Sequence, residues 1–497
     1  MFDKTKDTPY FPGFQAYFVG RPNISRKESL KRKAEEIKAT QIMEFRTLFT
    51  PFLPTSVFSS SFGKKFTRNR VYTLEVLFFG FLNQVILNGM SCSESVTRIQ
   101  SWMISKDQKP PSSATGAYCK AKKKISLSFI NRIFIHTVEK LRSMESENQL
   151  WHGRVVKVVD GSGLSMPDTK ENQKVYPQNG AMKEGCGFPQ LNIVALFSLF
   201  SGALLGYETG NKHQSENRLW KKLSNLLNPG DVVLGDRGYY SYANTASLLS
   251  RKIDSVVRLC TGRPGDLVTV KSLGKGDRLC IWHKPKSTSS TLWSKDELKD
   301  MPNDIQVRVV DAPLIRKGFR TQKLTILTTL LDENEFSAEE LAKLYFKRWA
   351  VELRFKDIKT TMGMDILKSK TPRQAQKEIA MFAIGYNLIR GLILNAAKQC
   401  CREIDEISFA GARHQLSQWM WLFLASNGSI VRIRRLLDEF YHSITCRKVP
   451  DRPGRNEPRA RKRRPKNYSL MNKPRKEMVV DCHRNNPERK NAFYSLK

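Results

Sequence analysis

Arg154-Val155-Val156-Lys157-Val158-Val159-Asp160-Gly161-Ser162-Gly163 reads as a β-strand that closes on an acid. Its first six residues are rich in valine, and two glycines end the run. An aspartate there stands at the rim of a sheet, and the glycines let another backbone come close. The pattern returns at Asp231-Val232-Val233-Leu234-Gly235, a short buried strand followed by Asp236-Arg237-Gly238. Taken singly, an aspartate beside glycine at a strand end is commonly a turn residue.

The segments around these two strands give the order of the fold. Leu191 to Phe200, Ser201-Gly202 and Ala203 to Tyr207 predict a hairpin. Glu216 to Leu227 reads as helix, Tyr242 to Arg251 as a second helix and Asp254 to Leu259 as a strand. Three hairpin-like strands, a helix, a strand, a helix and a strand match the order of a ribonuclease-H-like α/β core. Residues 261–322 break that order with short strands among Gly, Pro, Ser and charge clusters, a β-rich insertion. Lys323 to Leu330 returns to the core sheet.

The helix that follows carries the chemistry. It starts at the capping box Ser337-Ala338-Glu339-Glu340. At about 100° per residue, Tyr345, Arg348, Glu352 and Lys359 fall within an arc of about 60° on a regular helix. One face then holds a phenol, a guanidinium, a carboxylate and an ammonium. Glu352 could equally pair with Lys356 as a surface ion pair. With Asp160 and Asp236 it makes three acids in strand–strand–helix order. Hard Mg²⁺ or Mn²⁺ takes such oxygen ligands, and two ions about 3.5–4 Å apart serve an in-line displacement at phosphorus.

Composition points to the same kind of substrate. The chain has 497 residues, a formal net charge of +37 and a pI of about 9.9. That excess favours a polyanion through counterion release. A membrane partner is not expected, because the most apolar stretch, Val71 to Met90, contains Glu75, Asn83, Gln84 and Asn88. No signal pattern opens the chain. Nine scattered cysteines without a CxxC pair fit a reducing compartment rather than a disulfide framework or zinc ribbon.

The expected domains are a loose N-terminus (1–24), a helical DNA-binding region (25–148), the first part of the core (149–260) and the insertion (261–322). The second part of the core (323–395), C-terminal helices (396–445) and a basic disordered tail (446–497) follow. The first helical region opens on Ser25-Arg26-Lys27-Glu28, a second capping-box sequence. The tail holds 17 Lys or Arg against five Asp or Glu. Ser112 to Gly116, followed by the basic segment Ala117 to Ile125, is compatible with a helix-turn-helix recognition element. Lys120, Lys122, Lys123 and Lys124 are its candidate DNA contacts; a solvated basic face is the plain alternative.

Tyr345, Arg348, Glu352 and Lys359 match the Y-x2-R-x3-E-x6-K signature of DDE transposases. The chain resembles the IS-four group of bacterial insertion-sequence transposases over roughly residues 90–395. Asp160-Gly161-Ser162 is similar to the group's first acidic region and Leu234 to Tyr240 to its second. The resemblance implies that Asp160, Asp236 and Glu352 hold Mg²⁺, with Mn²⁺ able to substitute, and that Tyr345, Arg348 and Lys359 grip DNA phosphates near the cut end. It implies double-stranded DNA partners (terminal inverted repeats and target), a homodimer on paired ends, and a cytoplasmic, nucleoid-associated place in a bacterium. Some relatives hold a flipped base with an insertion-domain tryptophan, for which Trp282 and Trp293 are the candidates. Glu216, after His213-Gln214-Ser215, also fits a group pattern, and alternatively is an acid favoured by a helix N-terminus.

The function expected is cut-and-paste DNA transposition. Two alternatives share the acids or the charge: a ribonuclease-H-like nuclease without strand transfer, and a silent DNA-binding derivative of a transposase. A ribosome- or RNA-binding protein would share the charge but would not need the three acids.

Overall fold

A computed structural model of the chain describes residues 49, 52–53, 58, 71–87, 90–105, 108–145, 149–180, 182–259, 267–285, 292–314, 322–424, 430–449 and 474. The capping-box sequence at Ser25 and nearly all of the basic tail lie outside these residues. The chain forms two compact units, one of Met1–Thr137 with Gly391–Val449 and one of Val138–Arg390 with Pro450–Lys497.

The first unit is helical. It contains α1 (Leu74–Ile86), α2 (Cys92–Ser105), α3 (Thr115–Lys124) and the start of α4 (Leu127–Arg142). α1 is buried nearly throughout, including Asn83 and Gln84. Phe78, Phe79 and Phe129 pack edge to face in its core. The expected basic helix is present as α3, but Lys122 is not free to read DNA. Its ammonium sits 4.4 Å from the centre of the Phe81 ring and 3.4 Å from Gln84 Oε1. Tyr118, one turn back, is buried and donates to the same Gln84 oxygen. An apolar neighbour four residues away draws the lysine stem inward, which leaves Lys120, Lys123 and Lys124 exposed.

The second unit is built on one mixed sheet of nine strands. They are β1 (Val156–Ser165), β2 (Gln190–Ser198), β3 (Leu204–Gly210), β4 (Val232–Gly235), β5 (Asp254–Arg258), β6 (Leu267–Gly274), β7 (Asp277–His283), β8 (Asp304–Leu314) and β9 (Gln322–Thr328). Their order across the sheet is β3-β2-β1-β4-β5-β9-β8-β7-β6. β1, β4 and β5 run parallel, and every other neighbouring pair is antiparallel. The stretch read as an insertion therefore continues the core sheet through β8, β7 and β6, while β9 returns beside β5 as expected.

Helices flank this sheet: α5 (Lys170–Val175), α6 (Glu216–Leu223), α7 (Tyr242–Leu249), α8 (Lys295–Asp300), α9 (Ala338–Lys347), α10 (Ala350–Lys356) and, as far as Arg390, α11 (Pro372–Gln399). Two more, α12 (Phe409–Leu424) and α13 (Ile430–Thr445), belong to the first unit. Leu219, Trp220 and Leu223 of α6 pack on Val159, Val194 and Leu196. On the other face, Phe355 of α10 meets Phe197 of β2 edge to face at 5.5 Å. α11 is, among the described residues, the one helix long and apolar enough to cross a membrane, and 94% of its apolar window is buried inside the fold.

Trp282 lies in this core. It is buried, stacked on Tyr240 at 4.8 Å and set edge-on to Tyr242 at 5.5 Å. It cannot hold a flipped base without dismantling that cluster, so the expectation is corrected: β7 turns Trp282 inward. Trp293 is half-buried beneath the Lys221 ammonium, which lies 4.1 Å from its ring centre.

Lys157 of β1 and Asp231, just before β4, form a buried ion pair at 2.5 Å. Asp231 also accepts from the Asn228 backbone N–H. Removing one member of a buried pair strands the other charge. Asp231→Ala is expected to cost about 3–5 kcal/mol of stability, measured by urea unfolding; a loss below about 1 kcal/mol would show that Lys157 finds solvent.

Candidate active site

β1 does not stop at Asp160. It runs on to Ser165, paired with β2 through Asp160↔Ala195, Gly161↔Val194 and Ser162↔Ile193. What ends near Asp160 is the pairing with β4, whose last partners are Val158↔Leu234. Two residues further along both strands stand Asp160 and Asp236. Neighbouring strands lie about 4.8 Å apart, so this register sets the two aspartates side by side where β4 leaves the sheet.

Side chains alternate along a strand. Val159 packs against α6, so Asp160 points to the opposite face, that of α10. Its Oδ1 accepts from the Gly161 N–H at 2.8 Å. Burial pushes its carboxyl up to about 6; Asp236 and Glu216 push the same way, while the Gly161 N–H and Arg348 oppose them. Asp236 begins a single 3₁₀ turn, Arg237–Tyr239, with Oδ1 accepting from Gly238 N–H at 2.8 Å. The turn-residue reading of Asp236 is thus also true. It fixes one carboxylate oxygen on the backbone.

The expected regular helix is interrupted. α9 ends at Lys347 and α10 starts at Ala350. Between them Arg348, Trp349, Val351 and Glu352 each bond to the carbonyl three residues back, an overwound join. From Asp357 to Thr361 the helix is underwound into a π-turn. The four residues of the signature therefore part company. Tyr345 is buried, and its hydroxyl donates to the Gly235 carbonyl at 3.2 Å, directly before Asp236. Burial holds its phenol up at about 12. This is not the phosphate contact expected of Tyr345: the hydroxyl is committed to the backbone of β4.

Arg348 lies over the Tyr345 ring, 5.8 Å from its centre, and 3.6 Å from Glu352. It is 8% exposed, and its buried Nε has no hydrogen-bond partner among the described residues. Glu352 reaches outward, its side chain 61% exposed. Lys359 donates to Ser162 Oγ at 2.9 Å and lies 3.3 Å from Asp365, which ties the π-turn to β1 two residues beyond Asp160. Sequence reading had not singled out Ser162, Asp365 or Arg258, whose charge reaches Tyr345 from the end of β5.

Glu216 belongs to this neighbourhood. It opens α6 behind the Ser215 cap. Burial raises its carboxyl, and the charge of Asp236 adds to the shift.

Among the described residues no three His, Cys, Asp or Glu side chains form a ready-made metal cage. The donor set still fits a hard divalent cation. It is carboxylate only, and Asp160 is opposed by burial and two like charges, a repulsion that a cation would relieve.

Residues 151–388 match the family model described as a transposase DDE domain. These residues form a transposase DDE domain. Its similarity to the transposase InsG of insertion sequence element IS4 from Escherichia coli strain K12 is 27% identity over 376 residues, 74% of this chain and 81% of the relative. The transposase of element IS231F from Bacillus thuringiensis subsp. israelensis is 19% identical over 345 residues, 60% of this chain and 69% of that one. Among solved structures, the piggyBac transposase synaptic complex with hairpin DNA aligns at a TM-score of 0.42 with 9% identity, covering 82% of this chain and 86% of that one. The chain is thus similar to the IS4 group of insertion-sequence transposases, and its DDE domain is of a family that cleaves DNA and transfers strands.

The π-turn of the transposase opens on a largely covered carboxylate. Asp357 is 3.5 Å from Arg390. Burial pushes its carboxyl up to about 7, against the pull of Arg354 and Lys356. A raised carboxyl contributes stability below its unfolded pKa of about 4 and loses it as pH climbs toward 7. Asp357→Asn cannot ionise, so its melting temperature is expected to fall less than that of the wild type between pH 5 and pH 8; equal falls would show that Asp357 is ionised throughout.

Proposed function

We propose that this transposase cuts the ends of its element and joins them to target DNA at a site formed by Asp160, Asp236 and Glu352. The observation that carries the reading is the register of β1 and β4, which sets two aspartates side by side facing the helix that bears Arg348 and Glu352. Parallel β1, β4 and β5 with an antiparallel β1-β2-β3 meander support a ribonuclease-H-like core.

Asp160 and Asp236 would hold Mg²⁺, and Glu352, exposed at the rim, would complete the set. The bound ions would activate the attacking oxygen and stabilise the leaving one. The chain's own groups do the rest. Arg348, whose buried Nε has no hydrogen-bond partner among the described residues, offers charge-assisted bonds to a phosphate beside Glu352. Lys359 adds a point charge and braces β1. Tyr345 acts at one remove, holding the Gly235 carbonyl and so the exit of β4. In the first step water attacks the phosphorus at the element end, the P–O3′ bond breaks, and a 3′-hydroxyl leaves. In the second that hydroxyl attacks a target phosphodiester and displaces a target 3′-oxygen. No protein nucleophile is needed.

The net charge of +37 fits double-stranded DNA as both donor and target. Exposed Lys120, Lys123 and Lys124 on α3 and the basic tail would contribute phosphate contacts. Two ends must be held for joining, which favours a homodimer.

Glu352→Gln is expected to abolish Mg²⁺-dependent cleavage of end-bearing oligonucleotides while terminal-repeat binding in gel shifts stays within about threefold. Undiminished cleavage would sink the assignment. Strand-transfer products from pre-cleaved ends separate a transposase from a simple nuclease. Arg348→Ala is expected to weaken binding of the pre-cleaved end roughly 10–100-fold, as loss of a charge-assisted bond would. Equal weakening on uncut DNA would remove Arg348 from the cut end.

A further inference from the structure

Glu216 is not part of the family's acidic triad, yet three observations lead from it to the site. Gly161 follows Asp160, and its missing side chain is filled from across α6. A Cβ built on Gly161 would meet the Glu216 carboxylate carbon and Oε1 at 2.6 Å and Oε2 at 2.9 Å. The carboxylate therefore lies flat against β1 on the face opposite Asp160. That approach is closed to any residue but glycine unless Glu216 moves.

The second observation is Tyr239. Its ring is 4% exposed and packs edge to face on Trp220, 5.8 Å away. Its hydroxyl is buried without a hydrogen-bond partner among the described residues. The charges of Glu216, Asp160 and Asp236 all act on it. A buried hydroxyl is nearly always hydrogen-bonded; this one is not, among the described residues.

The third is the tie between α6 and the Asp236 turn. Asn217 Nδ2 donates to the Gly238 carbonyl at 3.1 Å, and Asn244 Nδ2 to Asn217 Oδ1 at 3.0 Å. Glu216 is thus fixed relative to Asp236 by its own neighbour in the chain.

We infer that Glu216 is a fourth carboxylate of the divalent-cation site, entering from the α6 face through the gap at Gly161, with the Tyr239 hydroxyl orienting it when the cation is bound. The inference rests on the reading of Asp160 and Asp236 as cation ligands. It adds a ligand from the opposite face of the sheet, where β1 and β4 separate. Glu352, by contrast, closes the site from outside.

Binding of Mn²⁺ to the full-length protein without DNA tests this, followed by electron paramagnetic resonance of the free ion. Thermal unfolding in EDTA and in Mg²⁺ runs beside it. Glu216→Gln is expected to raise the Mn²⁺ dissociation constant roughly 10–100-fold, at least the effect of losing an outer-shell partner. Its melting temperature in EDTA should hold or rise, because one of three mutually repelling carboxylates is gone, and its gain in Mg²⁺ should shrink. Gly161→Ala should weaken Mn²⁺ in the same way by displacing the carboxylate. Tyr239→Phe should do so by a smaller factor without loss of stability in EDTA. Wild-type Mn²⁺ affinity in Glu216→Gln overturns the inference. If Glu216→Gln is unstable in EDTA, Gly161→Ala decides: unchanged Mn²⁺ affinity there overturns it equally. Asp236→Asn separates the two readings. If it also binds Mn²⁺ like the wild type, the assignment of the aspartates fails; if it does not while Glu216→Gln does, the aspartates stand and Glu216 alone is excluded.

Discussion

The parallel pairing of β1 with β4 is the constraint on which this molecule depends. Both acids come from these strands, and the register between them decides whether the acids meet. A slip of one residue would turn the side chains of one strand to the other face. The strands are held at their starts by the buried Lys157–Asp231 pair. At the far end Tyr345 holds the Gly235 carbonyl and Lys359 holds Ser162. Polar contacts therefore bracket the pairing above and below; Asp160 sits between them and Asp236 directly follows the contact at Gly235.

The fold was readable where local pattern and tertiary role agree. The valine runs of β1 and β4, the hairpin of β2 and β3 and the Ser337 capping box all form as their residues suggest. The position of Asp160 and Asp236 beside each other was readable too, because both follow apolar runs of strands that pair in parallel. The end of β1 was not. Glycine ends a propensity run but does not break a ladder, and β2 carries Gly161 and Gly163 onward by backbone bonds alone. Glu216 was ambiguous for a related reason. A glutamate at the start of a helix has a sufficient local explanation, and only the empty side of Gly161 shows what else it faces.

The signature helix was misread in a more instructive way. Its four residues were placed by ideal helical spacing, which predicts one polar stripe. The overwound join at Arg348 and the π-turn after Lys356 change the angle at each end. The spacing in sequence is thus a record of positions, not of a common face. Tyr345 turns into the core, Arg348 lies over it, Glu352 points outward and Lys359 reaches back to β1. Non-ideal turns of this kind often mark functional sites, because they place side chains that a regular helix would keep in line. Trp282 and Lys122 turn inward for a different reason: an aromatic ring or an aliphatic stem inside a basic protein is still drawn to apolar neighbours.

These features give the site an electrostatic logic. Asp160, Asp236 and Glu216 repel one another, and burial disfavours the charge on two of them. The charge of Arg348 eases Asp160, and Glu352 lies 3.6 Å from the same guanidinium. One arginine is thus shared between an acid of the sheet and the acid of the helix. A divalent cation would satisfy the carboxylates and free Arg348 from them at the same moment, leaving its guanidinium for a phosphate. Cation and DNA end would then be bound in concert, each weakly without the other. Carboxylates that repel one another in this way would sacrifice stability for function. The clamps at both ends of β1 and β4 hold the two strands together against that repulsion.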